Sequence, residues 1–426
     1  MTALRHHVFA IQAAPLVRGL FAFGSAEAAT RVVRLGALLI VARRVTPEVF
    51  GAAALALSVF ELVRVLANVG IGQRLILAKN EELPALCRTA HRLFWMTCIS
   101  VAVIQLAVAG LLHAFFDLGE AAAMLAVLSL VYFAMPPGLV QIFLAMRENR
   151  MATLARITAT QNMADSLLTV ALVLLWPSAW AIVLPKLLAA PVWTIMARKS
   201  SSWRPDRVQS KAPVREFGVF GSSILGTEIL GAARLHADKL VIGAMLGTEA
   251  LGIYYFAFNA GLGITQSFVA ACNLVVFPHL AKAKASYALV ELRKAFATGL
   301  AMLAPIVAAQ ALLAPFYVPL VFGENWVAAT PYIVMLSCAA LPLYAGSIIG
   351  ANYRASNRPQ AETLITALAS AGALGGLAIG AGAGLAWACF GYGAGLAAIF
   401  IPSAIASLLG RSLNLSLAAN MKGYSK

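Results

Sequence analysis

The chain has 426 residues, of which 61% are hydrophobic and only 12% charged. A soluble domain carries about 25% charged residues, so half of the usual wetted surface is missing and lipid must cover the outside. The net charge of +15 is dispersed over short loops without an aromatic-basic domain, which excludes a nucleic-acid binder.

A spanning helix needs about 20 mostly apolar residues. In chain order, such spans are predicted near 17–42, 51–77, 93–116, 121–146, 153–176, 178–197, 217–246, 251–277, 295–315, 327–350, 361–382 and 384–409. These runs lack the period-2 alternation of barrel strands, so the predicted fold class is an all-α polytopic membrane protein with about 12 transmembrane helices. The opening MTALRHHVFAIQAAPLVRGLF has no clean cleavage region and runs into the first span, unlike a signal peptide. Cys87, Cys98, Cys272, Cys338 and Cys389 show neither metal-ligand nor disulfide spacing and read as small fillers; no cofactor and no metal are expected.

Lysines and arginines in short loops set the orientation. With the N-terminus inside, 23 of them fall in cytoplasmic segments, against only Arg43 and Arg44 outside. Both termini are therefore expected in the cytoplasm, which requires an even number of spans. The longest polar connection, ARKSSSWRPDRVQSKAPVREF at 197–217, lies almost at the midpoint. The predicted domains are an N-terminal six-helix bundle (1–197), a basic cytoplasmic linker (198–216), a C-terminal six-helix bundle (217–409) and a cytoplasmic tail (410–426).

The halves resemble each other weakly. A shift of 201 residues lays LLIVARRVTPEVFG (38–51) on KLVIGAMLGTEALG (239–252), and brings Glu27 onto Glu228 and Arg92 onto Arg293. Repeats of equal parity share topology and are related by an axis along the membrane normal, a plan that encloses a central cavity.

Charges fall inside the spans: Arg31, Arg34, Arg64, Arg74, Lys186, Arg234 and Lys239, with Glu27, Glu61, Asp165, Glu228 and Asp238. Each costs about 2.5 kcal/mol or more at the bilayer centre, so each should face a partner or a hydrated interior. Glu27, Arg31 and Arg34 share one stripe of the first span, and Glu61, Arg64 and Asn68 share one of the second. Thr158, Gln161 and Asp165 line the fifth. On the seventh, Arg234 and Asp238 form an i,i+4 pair, while Glu228 and Lys239 project about 20° apart. Two accounts stay open: mutually neutralising pairs that hold the bundles together, or a cavity for an anion. The cations outnumber the acids by two, and arginine binds phosphate bidentately. This pattern favours Arg31, Arg34, Arg64, Arg234 and Lys239 as substrate-binding residues for an anion, with Glu27, Glu61, Asp165, Glu228 and Asp238 in ion coupling or charge pairing.

Pro136-Pro137 and Pro185 interrupt the fourth and sixth spans as kinks or hinges. His236 reads as a satisfied polar histidine or a proton relay. GAGAG at 380–384 has no Lys-Ser/Thr after it, and close helix packing accounts for it better than a phosphate loop. No catalytic triad or nucleotide motif occurs.

The run RLGALLIVARRVTPEVFGAAALALSVFELVRVLANVGIGQRLI resembles the opening of Wzx-type polysaccharide-unit flippases, in the MOP superfamily that also contains MATE exporters and MurJ lipid II flippases. ADKLVIGAMLGTEALGIYYFAFN, VVFPHLAKA and LVFGENWVAATPYIVML follow in the family's order, and the resemblance covers most of residues 17 to 360. It implies a two-lobed, V-shaped MATE/MurJ-like bundle in the bacterial inner membrane, with alternating access. The implied substrate is an undecaprenyl-pyrophosphate-linked oligosaccharide for exopolysaccharide, O-antigen or capsule synthesis. Membrane lipid, a polysaccharide polymerase and a chain-length regulator are the implied partners. Arg31, Arg34, Arg234, Asp238 and Lys239 match the family's basic cavity; Arg64 follows from the helical stripe alone. The two additional spans of the lipid II flippases have no counterpart. A MATE-like cation antiporter and a membrane-embedded polymerase or glycosyltransferase are the rival readings. The first wants acids alone at the site, the second a sizeable catalytic loop.

Overall fold

A computed structural model of the chain describes residues 30, 33–67, 70–116, 118–205, 212–263, 265, 266, 268, 269, 272, 276, 277, 280, 287–356 and 358–410, apart from the side chains at 216, 218–228, 230, 234 and 359. The described residues are helical throughout, with short turns and no strands. They divide into two compact units, Met1–Ala237 and Asp238–Lys426.

The first unit begins with α1 (33–44) and α2 (Pro47–Arg64), the latter continued by a 3-10 turn at Val65–Ala67. Between α1 and α2 the chain turns on Thr46, whose extended backbone and Oγ1, accepting from the Val49 amide, start α2 with Pro47 in its first turn. There a proline's missing N–H has no intrahelical bond to lose. Then come α3 (Ile71–Leu77), α4 (Leu83–Phe116), α5 (Gly119–Leu128), α6 (Val131–Ala134), α7 (Pro136–Arg147), α8 (Met151–Leu175) and α9 (Ala179–Lys199). The predicted fourth span is broken where Pro136-Pro137 enters, with a bend of 56°. Pro185 and Pro191 instead lie inside an unbroken α9.

Met96, Ile99, Val103, Ile104 and Leu111 of α4 are exposed, a face that suits hydrocarbon and not water. Its inner face buries Gln105, which donates to the Leu125 carbonyl at 2.7 Å and accepts from the Tyr132 hydroxyl at 2.7 Å. In lipid such a bond joins helices whose apolar contacts alone give little preference for protein over solvent.

The segment after α9 is tied down on the ends of α4 and α7. Thr89 Oγ1 donates to the Ala212 carbonyl at 3.0 Å, Gln141 Nε2 to that of Trp203 at 3.2 Å, and Arg150 Nη1 to that of Ser200 at 2.6 Å. Trp203 and Ala212 pack on a core that contains Leu86, Cys87, Phe94 and Phe217.

α10 (Arg215–Ala257) carries the predicted seventh span and the start of the eighth as one element interrupted at Gly247, where φ is 86° and ψ 179°. Gly247 is the residue that the 201-residue shift lays on Thr46. Both halves thus turn at the same aligned position, one with an extended threonine cap and the other with a conformation that glycine adopts without strain. Past Ala257 the helix widens into a π-turn at Phe258–Leu262. Gln310 Nε2 reaches the Ala260 carbonyl there at 2.6 Å.

The second unit continues with α11 (Ala288–Tyr317), α12 (Thr330–Cys338), α13 (Ala340–Ala355), α14 (Pro359–Ala381) and α15 (Leu385–Leu408). α14 and α15 form a hairpin in which backbones touch. A Cβ on Gly376 would lie 2.2 Å from the Gly391 carbonyl oxygen, and one on Gly395 would lie 2.1 Å from that of Gly372. Only glycine permits this approach, so close packing explains the glycine-rich end. Among the described residues nine helices are long and apolar enough to cross a membrane, ten if the bent pair is one span. Most of the predicted first span and part of the eighth lie outside the described residues.

Candidate functional site

In the first unit the charged side chains of α2, α8 and α9 form one group. Glu61 and Arg64 lie a helical turn apart on α2, and Arg64 Nε donates to Glu61 Oε2 at 2.8 Å. The Arg64 side chain is 48% exposed, although its helix is a span. Arg64 stands in the last turn of α2, where a guanidinium reaches a hydrated space or the membrane interface. On α8 and α9, Lys186 Nζ donates to Asp165 Oδ2 at 3.1 Å. Both residues lie well inside their spans, Met151–Leu175 and Ala179–Lys199. Glu61 is within electrostatic reach of Lys186 and His236 as well as Arg64. Arg34, on α1, is exposed, and no ion pair to it is found among the described residues.

In the second unit Asp238 and Lys239 are buried, with 1% and 4% of their side chains exposed. Lys239 Nζ donates to both carboxylate oxygens of Asp238, at 2.9 and 3.0 Å, and lies 4.0 Å from the centre of the Phe258 ring. The Tyr254 hydroxyl donates to Asp238 Oδ2 at 2.8 Å. Tyr254 follows the Gly247 turn and Asp238 precedes it, so the carboxylate clasps the two arms of α10 together. Adjacent residues on a helix do not ordinarily face each other. Here the four-carbon stem of Lys239 folds back, because burial takes the ammonium out of reach of bulk solvent and the Asp238 carboxylate is the acceptor beside it.

The structure therefore brings together Glu61, Arg64 and Asp165 with a residue the sequence left without a partner, Lys186. It gives Asp238 the partners Lys239 and Tyr254. Lys239, expected at the substrate cavity, is enclosed in this clasp and would have to leave Asp238 to meet a ligand. Glu27, Arg31 and Asn68 lie outside the described residues, as do the side chains of Glu228 and Arg234; the expected Arg234–Asp238 pair lies there too. Among the described residues no three metal-ligating side chains converge.

Comparison with known proteins identifies the family. A family model described as "Polysaccharide biosynthesis protein" matches residues 40–331, and the chain belongs to that family. Its membership fits the predicted Wzx-type resemblance. The chain is 25% identical over 347 residues to the lipopolysaccharide biosynthesis protein WzxC of Escherichia coli (strain K12), covering 78% of this chain and 69% of that one. It is 23% identical over 290 residues to the teichuronic acid biosynthesis protein TuaB of Bacillus subtilis (strain 168), covering 65% and 58%. It is 26% identical over 310 residues to the succinoglycan biosynthesis transport protein ExoT of Rhizobium meliloti (strain 1021), covering 70% and 60%. The matches thus span between 58% and 69% of these relatives' lengths.

The fold resembles that of solved MATE and MurJ structures. The inward closed lipid II flippase MurJ superposes with a TM-score of 0.75 at 12% identity, over 95% of this chain and 93% of that one. An inward-facing multidrug resistance MATE transporter of the MOP superfamily gives 0.71 at 14% identity, over 93% and 96%.

Proposed function

We propose that the chain is a transporter and not an enzyme, turning undecaprenyl-pyrophosphate-linked oligosaccharide units from the cytoplasmic to the periplasmic leaflet of a bacterial inner membrane. The observation that carries this reading is the exposed Arg64 of a spanning helix, paired with Glu61, which is within electrostatic reach of Lys186 on α9. Such groups line a path that water enters, and arginine's planar fork matches a phosphate better than it matches an organic cation.

In this reading Arg31, Arg34, Arg64 and Arg234 hold the pyrophosphate. The glycan occupies the hydrated interior, and the prenyl chain stays in lipid. Glu27, Glu61, Asp165 and Glu228 neutralise the cations between cycles or couple an ion. Asp238 and Lys239 belong to the α10 clasp and act on the hairpin's geometry. The six-helix bundles divide at the basic segment 198–216, both termini are cytoplasmic, and a polymerase and chain-length regulator take the product onward. The relatives named for polysaccharide biosynthesis and transport support the pathway, and the MurJ-like fold supports a lipid-linked substrate.

The test is export in cells that depend on this chain. Replacing Arg31 or Arg234 by Ala should abolish surface polymer while the protein still reaches the membrane. Full export in both variants sinks the assignment of the pyrophosphate site. Uptake of organic cations by the purified protein in place of glycan flipping would favour the antiporter.

A further inference from the structure

Among the described residues two aspartate–lysine pairs lie within spans, and they differ in a way that bears on transport. Lys239 is enclosed: it is 4% exposed, bonds both oxygens of Asp238 and lies over the Phe258 ring. Lys186 is open: it is 33% exposed and makes one hydrogen bond, to Asp165 Oδ2, among the described residues. An ammonium carries three donors, so two remain for a ligand while the bond to Asp165 persists. Lys186 also acts on the same carboxylate, Glu61, that Arg64 holds. It therefore belongs to the group that includes the exposed arginine, with a flexible stem where Arg64 has a rigid fork.

We propose that Lys186 is a phosphate-binding cation partway along the transport path, and that Asp165, bonded to it, weakens that binding enough for the substrate to leave. The inference rests on the pyrophosphate reading of the site and names a residue pair that reading leaves aside. An anion meeting Lys186 alone would be held tightly, because opposite charges in contact beside a protein wall attract more strongly than they do in bulk water. A carboxylate 3.1 Å from the ammonium repels the phosphate while it orients the lysine. A transporter needs a site that is entered readily and left readily, and such a pair supplies one. Asp165 is accordingly a positioning residue, with an effect on affinity opposite in sign to that of Lys186.

The opposite signs make the test. Full-length protein in nanodiscs would be titrated with farnesyl pyrophosphate, as wild type and as K186M, K186R, D165N and the double variant D165N/K186M. One charge-assisted hydrogen bond corresponds to about tenfold in affinity. K186M should weaken binding by about that factor, K186R should retain it, D165N should tighten it severalfold, and the double variant should match K186M. A purely structural pair gives the other pattern: D165N and K186M both weaken binding, or neither changes it, and either result overturns the inference. The double variant removes both charges at once, so it keeps the test valid should one single variant misfold. R64A separates the two levels. If it weakens binding while D165N does not tighten it, the pyrophosphate site stands and the inference falls. If wild type binds no farnesyl pyrophosphate, both fall.

Discussion

Tyr254 donates a 2.8 Å hydrogen bond to Asp238 across the turn that Gly247 makes in α10. Asp238 also holds the Lys239 ammonium, so three buried side chains close the hairpin. A buried ion pair need not stabilise, but breaking it from one side leaves a charge with no solvent to receive it. Y254F should cost about 1.5–3 kcal/mol, the range for a hydrogen bond to a charged group. K239M should cost about 3–5 kcal/mol, and D238L/K239M should recover most of that loss. Thermal denaturation of the purified protein in one detergent gives the order; a K239M variant as stable as wild type would contradict the clasp.

The Gly247 turn itself makes a second prediction. With φ at 86° and ψ at 179°, the residue occupies a region that is essentially closed to other side chains, while nothing lies within 4 Å of where a Cβ would stand. G247A therefore pays in backbone strain alone, about 1–3 kcal/mol. Its repeat mate Thr46 is extended, and T46A should lose about 0.5–2 kcal/mol through its cap, toward the low end given the 3.5 Å length of that bond. Equal losses at both positions would count against the glycine-specific turn.

The α14–α15 hairpin predicts a sharp contrast between neighbouring glycines. G376A places a methyl group 2.2 Å from the Gly391 carbonyl oxygen, and the helices must separate. Overpacking of this kind costs about 1–3 kcal/mol. Gly375 has nothing within 4 Å, so G375A should be neutral or slightly stabilising through helix propensity. Thermal shifts of the two variants decide it.

Much of this was legible in the sequence, and the parts that were not share a cause. Hydropathy located the helices, and the 201-residue shift aligned the turns at Thr46 and Gly247, because apolar length and a repeated Glu-x-x-Gly pattern need no tertiary information. Helical projection found Glu61 with Arg64, since both lie on one helix. It missed Asp165–Lys186 and Asp238–Tyr254, which join the two arms of hairpins. A usable signal was present: each pair is roughly equidistant from its turn, as are Gly376 and Gly391. Projection set Asp238 with Arg234 and Lys239 beside Glu228; the structure pairs Asp238 with Lys239, because burial makes the neighbouring carboxylate the best place for an ammonium.

The connection after α9 was read as a linker, yet Trp203 and Phe217 pack into the first unit's core. W203A removes the indole, so amide hydrogen exchange should rise over 200–205 and 212–217 and stay unchanged in α8. Unchanged exchange near the substitution would mean that the three side chain–carbonyl bonds from Thr89, Gln141 and Arg150 hold the segment unaided.

The central claim is that charged groups around Arg64 form part of the path for a pyrophosphate-linked glycan. The most direct measurement is flipping of a fluorescent undecaprenyl-pyrophosphate oligosaccharide in proteoliposomes containing only this protein. The account predicts transbilayer movement by wild type and a reduction of about tenfold or more in R64A, the loss of one charge-assisted contact. Flipping by R64A at the wild-type rate, or none by wild type, would contradict it.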